Sequence, residues 1–328
     1  MIVVTGGAGF IGSNIVAALS DRGEADIVVC DWLDDGDKWR NLAHHEVADI
    51  ILPDELFAFL DARGDEVDAI VHMGAVSSTT ERDVDLIVDS NIRLTLDLWN
   101  WCSVRDKRLI FASSAATYGD GEQGFDDDGS PAALAQLRPL NPYGWSKHFV
   151  DRRIARQVSR GAATPPQWAG LKFFNVYGPN EYHKEDMRSV AHKSFPAARD
   201  GLAATLFKSH REGYADGGQL RDFVYVRDCA DVVLWLLDNP GVSGLYNLGT
   251  GQARSFADLI GAVYQALGAA PKIDYVDMPE EIRDRYQYFT QASMDRLRAA
   301  GYDRPFTSLE DGITDYVQNY LTRPDPFR

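Results

Sequence analysis

A tyrosine and a lysine stand four residues apart in NPYGWSK, residues 141–147, behind an asparagine and a proline. Four residues is about one helical turn, so on a helix Tyr143 and Lys147 share a face. Asn141 suits the cap of a helix N-terminus and Pro142 suits its first turn. Such a pair has a use in alcohol oxidation, where a hydride leaves only if something removes the hydroxyl proton. A tyrosine titrates near 10, so only about 0.1% is phenolate at pH 7. Lowering that value by about three units needs roughly 4 kcal/mol of differential stabilisation. A lysine ammonium and a nicotinamide cation alongside supply much of it. Ser113 and Ser114 in ASSAATYG, residues 112–119, end an apolar run and offer a hydroxyl to hold the substrate oxygen in line with the tyrosine. The Tyr-x-x-x-Lys spacing is common by itself and needs support from the rest of the chain.

That support starts at residues 5–13, TGGAGFIGS. Gly7, Gly9 and Gly12 satisfy G-x-G-x-x-G, and Gly6, Gly9 and Gly12 satisfy G-x-x-G-x-x-G. The string follows a predicted strand and opens a predicted helix, the context in which glycines let a backbone approach a pyrophosphate. The helix N-terminus adds N–H donors and partial positive charge. Asp31 closes the next strand, where a carboxylate meets a ribose hydroxyl and favours NAD. Lys38 follows on the same loop and suits a 2′-phosphate, so NAD and NADP both stay open. Asp49 and Ile50 follow a third predicted strand and either touch the adenine edge or lie in a solvated loop.

The elements that must position these groups read as alternating strands and helices. Strands are predicted at IVVT (2–5), DIVVCD (26–31), VDAIVHM (67–73), RLIFASS (108–114) and LKFFNV (171–176). Amphipathic segments such as 13–23 and 86–105 separate them. The pattern predicts an α/β fold, a doubly wound parallel sheet buried on both faces. Ser113 and Ser114 would then lie at its C-terminal edge, where ligands bind. Beyond about residue 176 the rhythm loosens. We expect a smaller discontinuous C-terminal substrate domain from about 175–221, 251–285 and 296–328. The nucleotide-binding domain takes 1–174 with about 222–250 and 286–295. Residues 119–138, rich in Gly and Asp, read as a long surface loop.

The bulk numbers bound the partners. The 328 residues carry a net charge of −16, which repels nucleic acid and anionic membranes. A phosphate-bearing ligand must therefore be captured locally. No apolar run approaches the roughly 20 residues that span a bilayer. Met1 leads directly into an apolar strand, so no signal peptide is expected. Cys30, Cys102 and Cys229 are scattered, which argues against disulfides and metal sites and fits the cytoplasm.

TGGAGFIG, SSAATYG, NPYGWSK, FFNVYGP, RDFVYVRD and LYNLGTG together resemble the extended short-chain dehydrogenase/reductase family, the NAD-dependent nucleotide-sugar epimerases and dehydratases. Further strings, VSSTTE (76–81), NVYGPNEYHKEDMRSVA (175–191) and RYQYFTQASMDRLRAAGYDRPF (285–306), are similar to those of the members that invert carbon six of an ADP-bound heptose for the lipopolysaccharide core. The resemblance implies an isomerase that keeps its NADP, or NAD, bound and uses it transiently. It also implies an ADP-sugar substrate and a homo-oligomer. Inversion outside the ring calls for proton transfer in two orientations. The resemblance implies Tyr143 as one acid/base, with Ser114 and Lys147, and Lys184 as the second; the other readings of Lys184 are a loop lysine or a phosphate contact.

It further implies cofactor contacts from Gly6, Gly9, Phe10, Ile11, Gly12, Asp31, Trp32 and Lys38, then from Met73, Gly74, Ala75, Val76, Ser77, Asn91, Lys147, Val176 and Lys184. Substrate contacts would come from Ser114, Asn175, Asp186, Lys193, Phe207, Lys208, Arg221 and Tyr286. Arg221 suits a diphosphate, or else a salt bridge to Asp222. Several positions depart from the family. Glu185 and Asp186 stand where small residues are expected, Lys193 where histidine is, and Trp32 where a small polar residue is. Residues 208–222 are longer and more charged. A 4-epimerase would not need Lys184. A dehydratase usually has an Asp-Glu pair where Ala115 and Ala116 stand here. A catalytically silent NAD(P)-binding protein would be free to lose Tyr143 or Lys147.

Overall fold

The computed structural model describes residues 1–283 and 286–328. Asp284 and Arg285, the latter opening the RYQYFTQ string and the pair closing the expected 251–285 piece, lie outside the described residues. Among the described residues twelve strands are seen: β1 Ile2–Thr5, β2 Ile27–Cys30, β3 Asp49–Ile51, β4 Ala69–His72, β5 Arg108–Ser114, β6 Trp168–Phe173, β7 Asn175–Tyr177, β8 Ala204–Phe207, β9 Leu220–Tyr225, β10 Gly244–Leu248, β11 Ala253–Ser255 and β12 Ile273–Val276. Seven of them form one sheet, in the order β10-β6-β5-β4-β1-β2-β3, with every pairing parallel. Val3, Val4, Val28, Val29, Ile70, Val71 and Ile110 have no exposed surface. Burying each side chain contributes roughly 1.5–3 kcal/mol. The doubly wound expectation holds.

Register decides where chemistry can happen. Thr5 lies level with Cys30 and with His72. The three chain exits that follow, at Gly6, Asp31 and Met73, therefore open at one edge. The strand order reverses between β1 and β4, which makes that edge the switch-point crevice. In β5, Ala112, Ser113 and Ser114 run on past the level of His72, which pairs with Phe111. A buried imidazole locks the ends together. His72 Nδ1 lies 2.6 Å from Thr5 Oγ1, and Nε2 lies 2.9 Å from Thr95 Oγ1. Burial, reinforced by the Lys147 charge, pulls its pKa down to about 3, so it stays neutral.

Three readings of the sequence need correction. Asp49 does not follow the third strand but begins it, pairing with Val28 at the opposite edge of the sheet. It is exposed, and its carboxylate accepts from the Ile50 N–H. The run LKFFNV is two strands: the chain leaves the large sheet after Phe173 and enters a three-stranded sheet, β11-β9-β7, at Asn175. Both pieces are apolar, so hydropathy alone does not reveal the break at Phe174. Residues 119–138 are not a free surface loop. Asp127 is 1% exposed and accepts from the Asn247 N–H at 2.7 Å. The Phe125 ring packs edge-on against Tyr118, Phe174 and Phe289.

A second apolar core lies beyond the three-stranded sheet. It joins Tyr177, Phe195, Leu206, Phe223, Tyr225, Ile260, Val263, Ile313 and Tyr316, and it includes Phe10 from the helix Phe10–Asp21. That first helix thus touches both cores, since its Ile15, Val16 and Leu19 belong to the large one.

Candidate active site

Tyr143 stands in the first turn of the helix Pro142–Ser159. Asn141 Oδ1 accepts the Gly144 N–H at 2.8 Å, and Pro142 occupies the first turn, as the residue types anticipated. Gly144 is required by close approach: a Cβ there would lie 2.7 Å from the Ala116 carbonyl oxygen. The contact presses the helix start onto the turn Ala115–Tyr118, which Ser114 caps by accepting from the Ala116 N–H. Ser114 and Tyr143 are brought together by this packing. Burial pushes the Tyr143 phenol up from 10, and the neighbouring Ser114 hydroxyl pulls the other way.

Lys147 follows one turn later and is buried, 3% exposed. None of the hydrogen bonds or ion pairs among the described residues uses its ammonium. Burial lowers its pKa from 10.5 to about 8, against the charge of Asp151. Asp151, a further turn along, accepts from Ser113 at 2.8 Å and from Lys172 at 2.5 Å. The Lys172–Asp151 pair is almost fully buried, so losing either partner leaves an uncompensated charge. Sequence reading missed Asp151 and Lys172, although a carboxylate at the next turn of the Tyr-Lys face was visible.

The cofactor side is built from turns. Gly6 has φ +65°, and a Cβ on Gly12 would meet the Gly6 carbonyl oxygen at 2.0 Å. The helix Phe10–Asp21 starts without a side-chain cap and with no acid in its first turn. Its N-terminal N–H groups are thus available to a phosphate, and this cradle fits a dinucleotide pyrophosphate. Asp31 Oδ2 accepts the Ala8 N–H at 2.9 Å, while Lys38 Nζ donates to Asp31 Oδ1 and to the Trp32 carbonyl, both at 2.7 Å. Trp32 is half-exposed beside them. Asn91 sits where the helical run from Val84 to Arg105 widens by a π turn, Val88–Arg93. Its amide is already engaged: Oδ1 accepts from the Val76 N–H, and Nδ2 donates to Val76 O and Ser146 Oγ. It ties the 73–77 turn to the helix Pro142–Ser159.

A cavity of about 1030 Å³ opens between these groups and the small sheets. Ser114, Tyr143, Asn175 and Tyr286 line it, as do residues 79–82, Phe174, Gln287 and Thr290. Gln287, which donates to the Gly119 carbonyl at 2.8 Å, and Thr290 were not singled out, although both lie in the RYQYFTQ string. Phe207 packs edge-on against Tyr286, and the Arg221 guanidinium lies 5.4 Å from the Tyr286 ring centre. The alternative Arg221–Asp222 pair does not form. Asp222 instead accepts from Thr250, Gly251 and Ala292, and Arg221 has no carboxylate partner among the described residues. Arg221 is 8% exposed, and burial lowers its pKa.

Other expected residues stand apart from that lining. The Lys184 ammonium lies 5.5 Å over the Phe10 ring, at the start of the glycine-loop helix. Burial lowers its pKa, with the nearby Glu181 charge opposing. Val176 flanks the same region, half-buried on β7. Lys193 donates to the Asp186 carbonyl at 2.5 Å, and both residues are exposed. Lys208 pairs with Asp277 at 3.4 Å. Glu185 and Asp186 are exposed, which keeps both carboxylates in solvent. Among the described residues no group of acidic, His or Cys side chains could hold a metal. No helix there is long and apolar enough to cross a membrane.

Comparison with known proteins places this geometry. Residues 2–249 match the model of the NAD dependent epimerase/dehydratase family. An ADP-L-glycero-D-manno-heptose-6-epimerase of Nitratidesulfovibrio vulgaris is 50% identical over 330 residues, covering 100% of both chains. The crystal structure of the Helicobacter pylori ADP-L-glycero-D-manno-heptose-6-epimerase superposes with a TM-score of 0.79 at 28% identity, over 97% of this chain and 95% of that one. A Thermus thermophilus UDP-glucose 4-epimerase in complex with NAD superposes with a TM-score of 0.75 at 30% identity, over 96% and 97%.

Proposed function

We infer the function from one premise: the chain belongs to the NAD dependent epimerase/dehydratase family. It is an isomerase of nucleotide-linked sugars, and its reaction is the inversion of carbon six of ADP-D-glycero-D-manno-heptose to the L-glycero epimer. The observation that carries this reading to the atoms is Ser114 facing Tyr143 on the cavity wall, with a buried lysine one turn behind.

The glycine turn at residues 6–12 and the start of the helix Phe10–Asp21 would hold a nicotinamide dinucleotide, whose chemistry would be reversible hydride acceptance from carbon six. The protein handles the proton. Tyr143 takes the hydroxyl proton in one orientation of the sugar, Lys147 stabilises the phenolate, and Ser114 holds the oxygen. After rotation about the bond to the ring, the oxygen lies differently, and the Lys184 ammonium gives it a proton as the hydride returns; solvent restores that proton while Tyr143 releases the one it took. Arg221, flanked by Tyr286 and without an acid partner among the described residues, takes the ADP diphosphate. A guanidinium placed so in an otherwise acidic chain favours an anionic ligand.

The cofactor is NADP. Asp31 has one oxygen on the Ala8 N–H and the other on Lys38, so it presents a neutralised pair to the ribose rather than a lone carboxylate. Lys38 then stands within reach of a 2′-phosphate. Lys38→Ala should weaken NADP binding roughly 10-fold or more and change NAD binding little; equal loss for both cofactors by calorimetry would refute the choice.

The reaction is tested by incubating the purified protein with ADP-D-glycero-D-manno-heptose and no added cofactor, with NMR of the sugar as readout. Appearance of the L-glycero epimer establishes it. Cofactor-loaded protein that leaves this sugar unchanged but converts another nucleotide sugar overturns it.

A further inference from the structure

The loop that carries Lys184 leaves the small sheet after Tyr177 and is held in a conformation it would not keep alone. Asn180 has φ +72° and Glu185 has φ +45°, a region that side-chain-bearing residues rarely adopt. Such conformations persist only where the surroundings over-determine them. One side of the loop is held from inside. Glu181 is buried and accepts from Ser189 Oγ and Tyr316 OH. Asn180 Nδ2 donates to Ser13 Oγ at 3.0 Å.

The other side is held by residues 325–328. The Arg328 N–H donates to Asn180 Oδ1 at 3.0 Å. Tyr182 OH donates to the Pro326 carbonyl at 2.6 Å, and its ring meets Phe327 edge-on at 5.1 Å. The Arg40 guanidinium covers Phe327 at 4.3 Å. The Arg328 guanidinium, 11% exposed, reaches Asn14 at 3.3 Å and Asp21 at 3.1 Å on the first helix. Asp325 takes Arg40 and His44. These four residues join the first helix, the turn Asp37–Leu42 and the Lys184 loop. Asp325 is exposed and its ion pairs contribute little; Phe327 and Arg328 are the anchors.

We propose that residues 325–328 are a strap that positions Lys184, with Phe327 acting through Tyr182 and Arg328 acting through Asn180. A lysine side chain has many rotamers, so only a fixed backbone at residue 184 confines its ammonium to one place above Phe10. The inference rests on the reading of Lys184 as the second proton-transfer group. Phe327 and Arg328 are positioning residues and touch neither sugar nor cofactor in this role.

The test compares Phe327→Ala, Arg328→Ala, Phe327→Tyr and Lys184→Ala in the full chain. Hydrogen exchange of amides 180–186 reports the loop directly, and kcat, KM and retained cofactor are measured beside it. Phe327→Ala and Arg328→Ala should speed exchange at 180–186 roughly 10-fold or more. Their kcat should fall roughly 10- to 100-fold, with KM for the ADP-heptose within about threefold and cofactor retained. Phe327→Tyr keeps the ring between Tyr182 and Arg40 and should restore kcat. Unchanged exchange and kcat in both alanine variants overturn the strap, as does a loss of activity explained by loss of cofactor through the Arg40 turn. If Lys184→Ala collapses kcat while the strap variants do not, the strap alone fails. If Lys184→Ala epimerises normally, the reading of Lys184 fails and takes the strap with it.

Discussion

Lys147 is subject to two opposed demands. In the proposed role it must be charged to stabilise the Tyr143 phenolate, yet burial pulls its pKa down to about 8. Below that value the ammonium is present; as pH rises through it, the proton leaves and Tyr143 loses its partner. Turnover should therefore fall on the alkaline side of about 8. Lys147→Arg, which does not titrate in this range, should lose that limb while turning over more slowly. A pH series of kcat decides, and an unchanged alkaline limb in the arginine variant would show that another group controls it. Glu185 tells a second residue-scale story. The small residue expected after Lys184 has a backbone reason, since φ there is +45°. Replacing Glu185 by Gly should stabilise the protein by about 1 kcal/mol in urea unfolding, the relieved strain exceeding the added freedom of the unfolded chain.

At the scale of elements, the helix Pro142–Ser159 was the most legible feature. Its cap, its first-turn proline and its Tyr-Lys spacing are all local, and local interactions follow from residue types without knowledge of the rest. Asn141→Ala removes the bond to the Gly144 N–H and should cost about 1 kcal/mol. Because Tyr143 sits within that turn, kcat should fall several-fold with KM nearly unchanged. Parallel losses in kcat and KM would point to a general loosening instead. The β6–β7 break was not legible, because Phe173 and Phe174 continue an apolar run and one asparagine after them, without Gly or Pro, is a weak turn signal. What ends β6 is the competition between two sheets for the same apolar run. The partners of Asn91 were not legible either, since its bonds to Val76 and Ser146 join segments far apart in sequence.

For the whole molecule, residues 119–138 show how a segment that looks like a solvent loop is recruited. Asp127 pins it to β10, and burial raises that carboxyl to about 6, with the Asn247 N–H and Arg296 opposing. Its pKa is higher folded than unfolded, so the carboxylate costs stability above about 6. That cost disappears as pH falls through 6 toward the ordinary carboxylate value. Asp127→Asn should be more stable than the parent by roughly 1–3 kcal/mol at pH 7.5, the difference closing by about pH 4. Denaturant melts at the two pH values would check it, and a variant less stable at both would show that the Arg296 attraction outweighs burial. The same segment packs Phe125 against Phe289 and Phe174, beside the cavity, which couples the edge of the large sheet to the substrate end.

Taken alone, the amino-acid order determined whatever depends on near neighbours or on a repeating period. The glycine turn before a helix, the capped Tyr-Lys helix, the alternation of apolar strands with amphipathic helices and the serines ending β5 are all of this kind. Tertiary structure decided the rest. It set which chain exits are level at the sheet edge, through the register of Thr5 with Cys30 and His72. It paired Lys38 with Asp31 and turned Asp222 to Thr250, Gly251 and Ala292 although Arg221 adjoins it. It also placed the Lys184 ammonium over Phe10, on a strained loop held by residues 325–328. The physical reason is range: hydrogen bonding within a turn is set by the residues in it. The partner of a buried charge is whichever group the packing of distant segments brings within a few ångströms.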